Sequence, residues 1–279
     1  MLSNKKLIVA PGAYDALSAK LIEGAGFEAV YMTGYGTAAS TLGLPDIGLL
    51  TMTEMVANAR AIANAVRIPL IADADTGYGN PINVIRTVRE FEKAGAAAIH
   101  IEDQVWPKRC GHMSGKQVIP KGEMIAKIKA AVEMRKSGDF LIIARSDALA
   151  VEGWDAVIER GLAYEEAGAD VIFVEAPETL EQMGKIPKIF KSPCLINMAP
   201  RTPSLPVERL ETMGYAIAIF PAICLAATIR ANMDYLNEFR KTGCPPDLGD
   251  FLAAFMQFNQ FIGVPEYNEL EQKYRPEER

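Results

Sequence analysis

The sequence predicts a (β/α)8 TIM barrel, and three observations support this fold. Eight short apolar runs alternate with segments of helical periodicity along most of the chain. Similar motifs precede several of these runs, as expected of a fold built from one repeated unit. The chain has 279 residues, which is a usual length for a single barrel of this kind.

The eight apolar runs are the predicted strands. Each run is almost continuously apolar, which is typical of parallel strands that are buried on both faces. The runs are LIVA (7–10), AVYMT (29–33), LIADAD (70–75), AIHIED (98–103), LIIARSD (141–147), VIFVEA (171–176), CLINM (194–198) and AIAIFP (216–221).

The segments between the runs show the pattern of amphipathic helices. Val84, Val88 and Phe91 recur at helical spacing after Pro81, and proline is favoured in the first turn of a helix. Gly95 and Gly168 follow two of these segments. Because glycine adopts the left-handed conformation that ends many helices, we expect both residues to terminate their helices.

A weak internal repeat favours the closed barrel over an open doubly wound sheet, which is the main structural alternative. EKAGAAAIHIE (92–102) resembles EEAGADVIFVE (165–175), and EGAGFEAVYMT (23–33) and MGYAIAIFP (213–221) fit the same frame. The repeat places residues of even-numbered strands at one level and residues of odd-numbered strands at another, as in the side-chain layers of a barrel. The even set is Thr33, Glu102, Glu175 and Pro221, and the odd set is Asp73, Arg145 and Asn197.

We expect two parts in the chain, a catalytic barrel at 1–242 and a C-terminal helical extension at 243–279. The extension is rich in aromatic residues, and Phe251, Phe255 and Phe258 share one face of its predicted helix. An apolar stripe of this kind, exposed on a monomer, suggests that a partner subunit covers it.

Composition and charge exclude several classes of protein. The formal charge of −6 and the pI of about 5.2 argue against a nucleic-acid-binding protein. No apolar run approaches the roughly 18 residues of a membrane span, and the N-terminus lacks the apolar core of a signal peptide. The four cysteines form no CxxC pair, so we expect free thiols and a cytoplasmic protein.

Charged and polar side chains collect where the predicted strands end. Active sites of such barrels lie at the carboxyl ends of the strands, and a cluster of buried acids there needs a cation. Oxygen ligands favour a hard ion, so the pattern predicts Mg²⁺ or Mn²⁺. The alternative is that lysine and arginine side chains pair with these acids. The residues concerned are Asp73, Asp75, Glu102, Asp103, Arg145, Asp147, Glu175 and Asn197.

A long linker follows the fourth predicted strand and includes a segment that we call the lid (107–117). Linkers of this length often close over active sites. The lid carries Cys110 beside Lys108, Arg109 and His112, and three basic neighbours predict a thiol with a lowered pKa. An inert surface thiol is the alternative. A zinc site is not expected, because His100 is the only other histidine in the chain.

Glycine-rich turns follow the second and third predicted strands. TGYGTAAS (33–40) and DADTGYGN (73–80) allow the backbone to approach an anion closely. Tight turns without a ligand are the alternative.

Several of these segments together resemble the isocitrate lyase/phosphoenolpyruvate mutase superfamily over about residues 7–265. The segments are YMTGYGTAASTLGLPD, ADADTGYGN, IEDQVWPKRCGH and ARSDALAVEG. KRCGH is the most specific of them, because it is typical of the lyase branch, whereas the mutase and phosphonopyruvate hydrolase branches lack this cysteine.

The resemblance implies roles for particular residues. Asp75 would bind Mg²⁺ directly, and Asp73, Asp46 and Glu102 would bind it through waters. The substrate would contact a further set of residues, with Arg145 on the C1 carboxylate or the C2 oxygen. That set is Thr33, Gly34, Tyr35, Gly111, Arg145, Glu175, Asn197 and Pro221. The lid would close over the substrate, and the family implies a homotetramer that exchanges C-terminal helices.

The resemblance also implies a carbon–carbon lyase acting on a small 2-hydroxy dicarboxylate. The sequence reads Thr33-Gly34-Tyr35, FVEAP (173–177) and IFPA (219–222) at positions that distinguish the branches. These residues favour 2,3-dimethylmalate as the substrate, with 2-methylisocitrate as the alternative. An oxaloacetate hydrolase or decarboxylase is a third possibility, although Pro221 stands where such a hydrolase has serine. A non-catalytic descendant of the family is disfavoured by the intact acids and lid.

The expected reaction is a retro-aldol cleavage. A base removes the proton of the C2 hydroxyl, the C2–C3 bond breaks, and Cys110 delivers a proton to C3. Tyr31 is the candidate base, with a metal-bound hydroxide as the alternative. Lys108, Arg109, His112 and Arg145 complete the expected catalytic set.

Overall fold

The computed structural model describes residues 6–246, 249 and 251–276, with the side chains of 251 and 252 excepted. Eight parallel strands pair in sequence order, and the last strand returns to the first to close a barrel. The predicted fold class is therefore confirmed. The strands are β1 (Ile8–Ala13), β2 (Val30–Met32), β3 (Leu70–Asp73), β4 (Ala98–Glu102), β5 (Leu141–Ser146), β6 (Val171–Val174), β7 (Cys194–Asn197) and β8 (Ile217–Phe220).

Helices lie between consecutive strands, and in the part of the chain that the structure describes three further helices follow the last strand. They are α1 (Ala16–Gly24), α2 (Gly34–Leu42), α3 (Met52–Ala65), α4 (Pro81–Lys93), α5 (Lys121–Met134), α6 (Trp154–Glu166), α7 (Leu180–Ile189), α8 (Val207–Met213), α9 (Ile223–Thr242), α10 (Phe251–Phe261) and α11 (Val264–Lys273). None of the helices in the described residues is long and apolar enough to cross a bilayer.

Helix α4 shows how the local sequence sets an element. The Asn80 side chain accepts hydrogen bonds from the Ile82 and Asn83 amides, so it caps the helix in front of Pro81. The face with Val84, Val88 and Phe91 is buried, as predicted. Gly95 and Gly168 follow α4 and α6 with φ of 94° and 99°, which confirms that these glycines end the two helices.

The barrel interior is layered as the repeat predicts. The Tyr31 and His100 rings stack with centroids 5.8 Å apart, and the Phe173 ring meets His100 edge-on at 5.7 Å. These side chains come from the even-numbered strands β2, β4 and β6, two residues before Thr33, Glu102 and Glu175. The layer lies immediately below the level at which the predicted site residues begin.

The chain divides into two compact units, Met1–Thr228 and Ile229–Arg279. The second unit begins inside α9, and the division into a barrel at 1–242 and an extension at 243–279 stays a prediction. Phe255 and Phe258 are 51% and 43% exposed. The side chain of Phe251, the third member of the predicted stripe, lies outside the described residues.

Candidate active site

The predicted site residues meet around one cavity of about 350 Å³ at the carboxyl ends of the strands. Those that line it are Tyr31, Thr33, Tyr35, Asp46, Asp73, Cys110, Gly111, His112, Arg145, Glu175, Asn197 and Pro221. Five predicted residues lie outside the lining, namely Gly34, Asp75, Glu102, Lys108 and Arg109. Four further lining residues were not predicted individually, namely Met113, Ala199, Pro200 and Ala222. Met113 lies in the lid and Ala222 ends the motif IFPA (219–222), whereas no motif marks Ala199 or Pro200.

Asp73 is the acid around which β2 and β3 meet. Its two oxygens accept hydrogen bonds from the Gly34 amide at 3.2 Å and from the Asp75 amide at 2.9 Å. A Cβ on Gly34 would lie 2.5 Å from Asp73 Oδ2, so only glycine permits this approach. The Gly34 amide is therefore already engaged, and Thr33 and Tyr35 are left as the contacts that this turn can offer a substrate.

Burial opposes ionisation of Asp73. Contact with His100 and the charges of Lys108 and Arg145 nevertheless lower the pKa of Asp73 to about 2. Asp73 therefore contributes a permanent negative charge to the cavity.

Lys108 lies in the acid cluster and not beside the thiol. Its Nζ is 2.6 Å from Asp46 Oδ1 and 2.8 Å from Asp75 Oδ1, and its side chain is 2% exposed. Burial opposes its charge, but Asp75 and Asp46 raise the pKa of Lys108 well above its ordinary value. The alternative, in which lysine and arginine side chains pair with the acids, therefore applies to Asp75 through Lys108. It also applies to four other acids of the predicted set, Glu102, Asp103, Asp147 and Glu175, which lie within 4.0 Å of Lys116, Arg145 or Arg160.

The charge of Lys108 does not balance the negative charge of the acid cluster. Burial raises the pKa of Asp75 and, although Lys108 opposes the shift, the charges of Asp73 and Asp46 leave it at about 6. Burial also raises the pKa of Glu102 well above its usual range. Arg145 Nη1 lies 3.2 Å from Glu102 Oε2, but neither oxygen of Glu102 accepts a hydrogen bond among the described residues.

These acids fit a hard cation held mainly through waters. Within the described part of the chain, no three histidine, cysteine or acidic side chains converge closely enough to bind a metal directly. Mg²⁺ keeps several waters and commonly takes only one or two carboxylates. The raised pKa of Asp75 reflects burial and the uncompensated charges of Asp73 and Asp46, and a cation bound here would stabilise its ionised form.

Arg145 is fixed by acids on three sides. Its guanidinium donates to Asp147 at 2.9 and 3.2 Å and lies 3.7 Å from Glu175. The guanidinium carbon also stands 5.3 Å from the centre of the Phe173 ring. A planar cation held in this way, with one edge on a cavity, is suited to bind a carboxylate.

Tyr31 is a buried phenol whose ionisation is disfavoured by its surroundings. Burial and the charge of Asp73 raise its pKa well above the ordinary value, so the phenolate that a base requires is disfavoured. The prediction that Tyr31 accepts the substrate proton is therefore not supported. Its hydroxyl lies 2.9 Å from His100 Nε2 and 3.4 Å from Asp73 Oδ2, and burial lowers the pKa of His100 to about 4.

The lid is tied down at its base and at its tip. At the base, the Val105 amide donates to Gln117 O and the Ile119 amide donates to Asp103 O. At the tip, the Cys110 amide donates to Asp46 O at 3.0 Å. The Gln104 side chain bonds both the N–H and the carbonyl of Arg109, so Arg109 contributes its backbone here while its side chain is exposed.

The predicted low pKa of the Cys110 thiol is wrong. Burial raises the pKa of Cys110 above the ordinary thiol value. Lys108 pairs with acids, and His112 Nε2 lies 2.9 Å from Glu175 Oε1, so neither side chain is directed at the sulfur. The thiol is therefore protonated near neutral pH.

His112 has one tautomer defined by its partners. The Arg201 amide donates to Nδ1 at 3.2 Å, so the proton of a neutral ring resides on Nε2 and points to Glu175. Asn197 donates to the same carboxylate at 3.1 Å. The positive charge of Arg145 and the His112 hydrogen bond lower the pKa of Glu175 against the opposing effect of burial.

Comparison with known proteins agrees with this geometry. The family model of phosphoenolpyruvate phosphomutase matches residues 1–240. The 2,3-dimethylmalate lyase of Eubacterium barkeri is 51% identical over 98% of this chain and 96% of its own length. The 2-methylisocitrate lyase of Aeropyrum pernix is 44% identical over 96% of this chain and 86% of its own.

Solved structures show the same similarity. A crystal structure of 2,3-dimethylmalate lyase, a PEP mutase/isocitrate lyase superfamily member, superposes with a TM-score of 0.93 at 39% identity and covers 98% of this chain and 93% of that chain. The structure of oxaloacetate acetylhydrolase in complex with 3,3-difluorooxalacetate superposes with a TM-score of 0.92 at 37% identity. The match covers 100% of this chain and 96% of that chain. The structure of phosphonopyruvate hydrolase in complex with oxalate and Mg²⁺ superposes with a TM-score of 0.88 at 32% identity. The match covers 99% of this chain and 96% of that chain. The chain therefore belongs to the phosphoenolpyruvate phosphomutase family, within the isocitrate lyase/PEP mutase superfamily that its motifs predicted.

Proposed function

We propose that the chain is a carbon–carbon lyase that cleaves 2,3-dimethylmalate to pyruvate and propionate. The observation that carries the proposal is the placement of a thiol, Cys110, and a fixed guanidinium, Arg145, in the lining of one cavity. Burial, which raises the pKa of Cys110 above the ordinary value, favours the protonated thiol. A 2-hydroxy dicarboxylate needs both groups, one to bind its carboxylate and the other to protonate the carbon that departs. The 51% identity to a 2,3-dimethylmalate lyase supports the same substrate.

The cavity wall favours small apolar substituents on the substrate. Met113, Ala199, Pro200, Pro221 and Ala222 form this wall, and their side chains suit methyl groups. Among the described lining residues, the basic ones are Arg145 and His112, and His112 already bonds Glu175. The third carboxylate of 2-methylisocitrate would therefore lack a cation of its own, which makes this substrate the second candidate.

Oxaloacetate hydrolysis is a further candidate, because oxaloacetate acetylhydrolase is among the similar structures. Pro221 lines the cavity where such a hydrolase has serine, so the wall has no hydroxyl at this position. This difference places hydrolysis behind carbon–carbon cleavage of a methylated malate.

The acid cluster is the proposed site of Mg²⁺, with Mn²⁺ as a substitute. Asp75 would bind the ion directly, and Asp46, Asp73 and Glu102 would hold its waters. When bound, the ion would stabilise negative charge that develops on the C2 oxygen of the substrate. Lys108 shares Asp46 and Asp75 with it and limits the excess negative charge of the cluster.

The remaining steps are assigned to side chains of this chain. Arg145 binds the C1 carboxylate, assisted by Thr33 and Tyr35. Asp73 and Glu175 are ionised in the cavity, but their lowered pKa values make them weak bases. One of them would accept the proton of the C2 hydroxyl only where the bound cation makes that hydroxyl more acidic. The C2–C3 bond then breaks, C2 becomes the ketone of pyruvate, and the Cys110 thiol protonates C3.

We also propose a cytoplasmic homotetramer that exchanges its C-terminal helices. The unit Ile229–Arg279 carries exposed apolar side chains on each of its helices, including Met233, Leu236, Met256 and Tyr267. Burial of these side chains against another copy would remove a large apolar surface from water.

A pyruvate-coupled assay with Mg²⁺ tests the proposed activity. The panel comprises 2,3-dimethylmalate, 2-methylisocitrate, isocitrate, citramalate and oxaloacetate, and we expect the highest kcat/KM with 2,3-dimethylmalate. Preference for 2-methylisocitrate would reverse the order of the two lyase assignments. Formation of oxalate and acetate from oxaloacetate as the main activity would refute the lyase assignment. The Cys110→Ser variant controls for contaminating lyases.

A further inference from the structure

Lys116 is a buried lysine of the lid for which the proposed mechanism has no use. Its ammonium donates to Gly111 O at 2.5 Å and to Asp147 Oδ1 at 2.8 Å. The Lys116 side chain is 2% exposed and that of Asp147 is fully buried. Burying an ammonium is costly unless it is paired and hydrogen-bonded, and two of its three N–H donors are engaged here.

Each of the two partners of Lys116 neighbours a different group of the proposed mechanism. Gly111 follows Cys110 directly in the lid. Asp147 accepts both hydrogen bonds that orient Arg145, at 2.9 and 3.2 Å. Asp147 is itself held in place, because its amide donates to Asp103 Oδ1 at 2.8 Å. A single ammonium thus connects the residue next to the thiol with the acid that orients the guanidinium.

Gly111 also lies directly against the residues of the cavity floor. A Cβ at this position would come 2.6 Å from Glu175 Oε1 and within clashing distance of Arg145 Nη2. The carbonyl that Lys116 binds therefore belongs to the point of closest approach between the lid and the barrel. A group that holds this carbonyl sets the position of the neighbouring sulfur.

We propose that Lys116 is the positioning residue for Cys110, holding the tip of the lid against Asp147 so that the thiol faces the substrate bound at Arg145. The inference rests on the proposed function, since it assigns to Cys110 the proton that C3 receives. It goes further by tying thiol placement and the orientation of Arg145 to one ion pair. Without the ammonium, Gly111 O loses its partner and Asp147 is left to Arg145 alone.

The test uses the full-length enzyme and the Lys116→Met variant, which keeps the side-chain length and removes the charge. Carbamidomethylation of Cys110 by iodoacetamide is followed by peptide mass spectrometry without substrate, and kcat and KM are measured separately. We expect Cys110 to react about 10- to 100-fold faster, because a hydrogen bond from a charged donor shifts an equilibrium by about this factor. We expect kcat to fall at least about tenfold.

Two controls separate positioning from general stability. Lys121→Met removes an ammonium outside the lid that pairs with Glu159 on the surface, and it should change both rates by less than about twofold. Ethylammonium added to Lys116→Ala should slow the alkylation again by occupying the vacated position. If Lys116→Met does not fold, Lys116→Gln provides the same comparison.

The alkylation rate decides the proposal. An unchanged rate in a folded Lys116 variant overturns it, whether or not turnover is lost. A faster rate with no rescue by ethylammonium also overturns it, because a general loosening of the lid would then explain the exposure. If the wild-type enzyme turns over no member of the substrate panel, the proposed function fails while the alkylation result still reports on the contact.

Discussion

Gly111→Ala is the substitution whose effect follows most directly from the geometry of the closed lid. The added Cβ would lie 2.6 Å from Oε1 and 2.7 Å from Cγ of Glu175, where ordinary contact begins at 3.4 Å. It would also clash with Arg145 Nη2. The lid or these side chains must therefore move by about 0.8 Å.

Neither movement is free, because both neighbours are already fixed. Arg145 is held by Asp147, and Glu175 is held by His112 and Asn197. Overpacking of this kind costs about 1–3 kcal/mol, which corresponds to about a 5- to 150-fold loss in kcat/KM. The melting temperature should change little, because the clash is relieved when the lid moves away from the barrel.

Steady-state kinetics with the preferred substrate measure the effect, and Gly122→Ala and Gly184→Ala serve as matched controls. A Cβ at either control position meets nothing within 4 Å, and both glycines lie in helices, where alanine is favoured. If kcat/KM for Gly111→Ala stays within about twofold of the wild-type value, the lid does not close as the structure shows, and the reasoning fails.

Three further predictions address the thiol, the metal and the assembly. Cys110→Ser should lose about 10²–10⁴-fold in kcat and Cys244→Ser should not. The alkylation rate of Cys110 should rise with pH through a pKa above the ordinary value of about 8.5, and a midpoint below that value would contradict a burial-raised pKa. EDTA should abolish turnover and Mg²⁺ should restore it, while Asp75→Ala should remain folded and inactive; full activity in excess chelator would refute the metal assignment. Deletion of 243–279 should break up the oligomer in sedimentation velocity, and a full-length protein that sediments as a clean monomer would contradict the proposed assembly.

The strands could be predicted because burial on both faces leaves a strong sequence signal. The ends of the strands could not be predicted, because the residues that follow each strand are apolar or acidic like the last residues of the strand itself. The third strand was predicted through Asp75 but ends at Asp73. The backbone of Asp75 has φ of 47°, so it leaves the extended conformation and directs its carboxylate into the acid cluster.

The position of the site could be predicted because carboxyl ends of parallel strands converge in a barrel. The ion-pair partners of the charged side chains could not be predicted, because these pairs depend on the path that the lid takes over the barrel. Lys108 is two residues from Cys110 in sequence but pairs with Asp46 and Asp75. Proximity along the chain therefore predicted the wrong direction for the pKa of the thiol. Lys116 escaped notice for the same reason, since no spacing relates it to Asp147.

The pairing of the basic residues of the lid explains how a thiol can serve as an acid among so many charges. Lysine or histidine cations beside Cys110 would favour the thiolate, which cannot donate a proton to C3. Lys108 is instead held by Asp46 and Asp75, His112 by Glu175, and Lys116 by Asp147. The same contacts that close the lid therefore direct these three side chains away from the sulfur. Closure of the lid and protonation of the Cys110 thiol are consequently coupled. A variant that opens the lid should therefore also lower the pKa of this thiol.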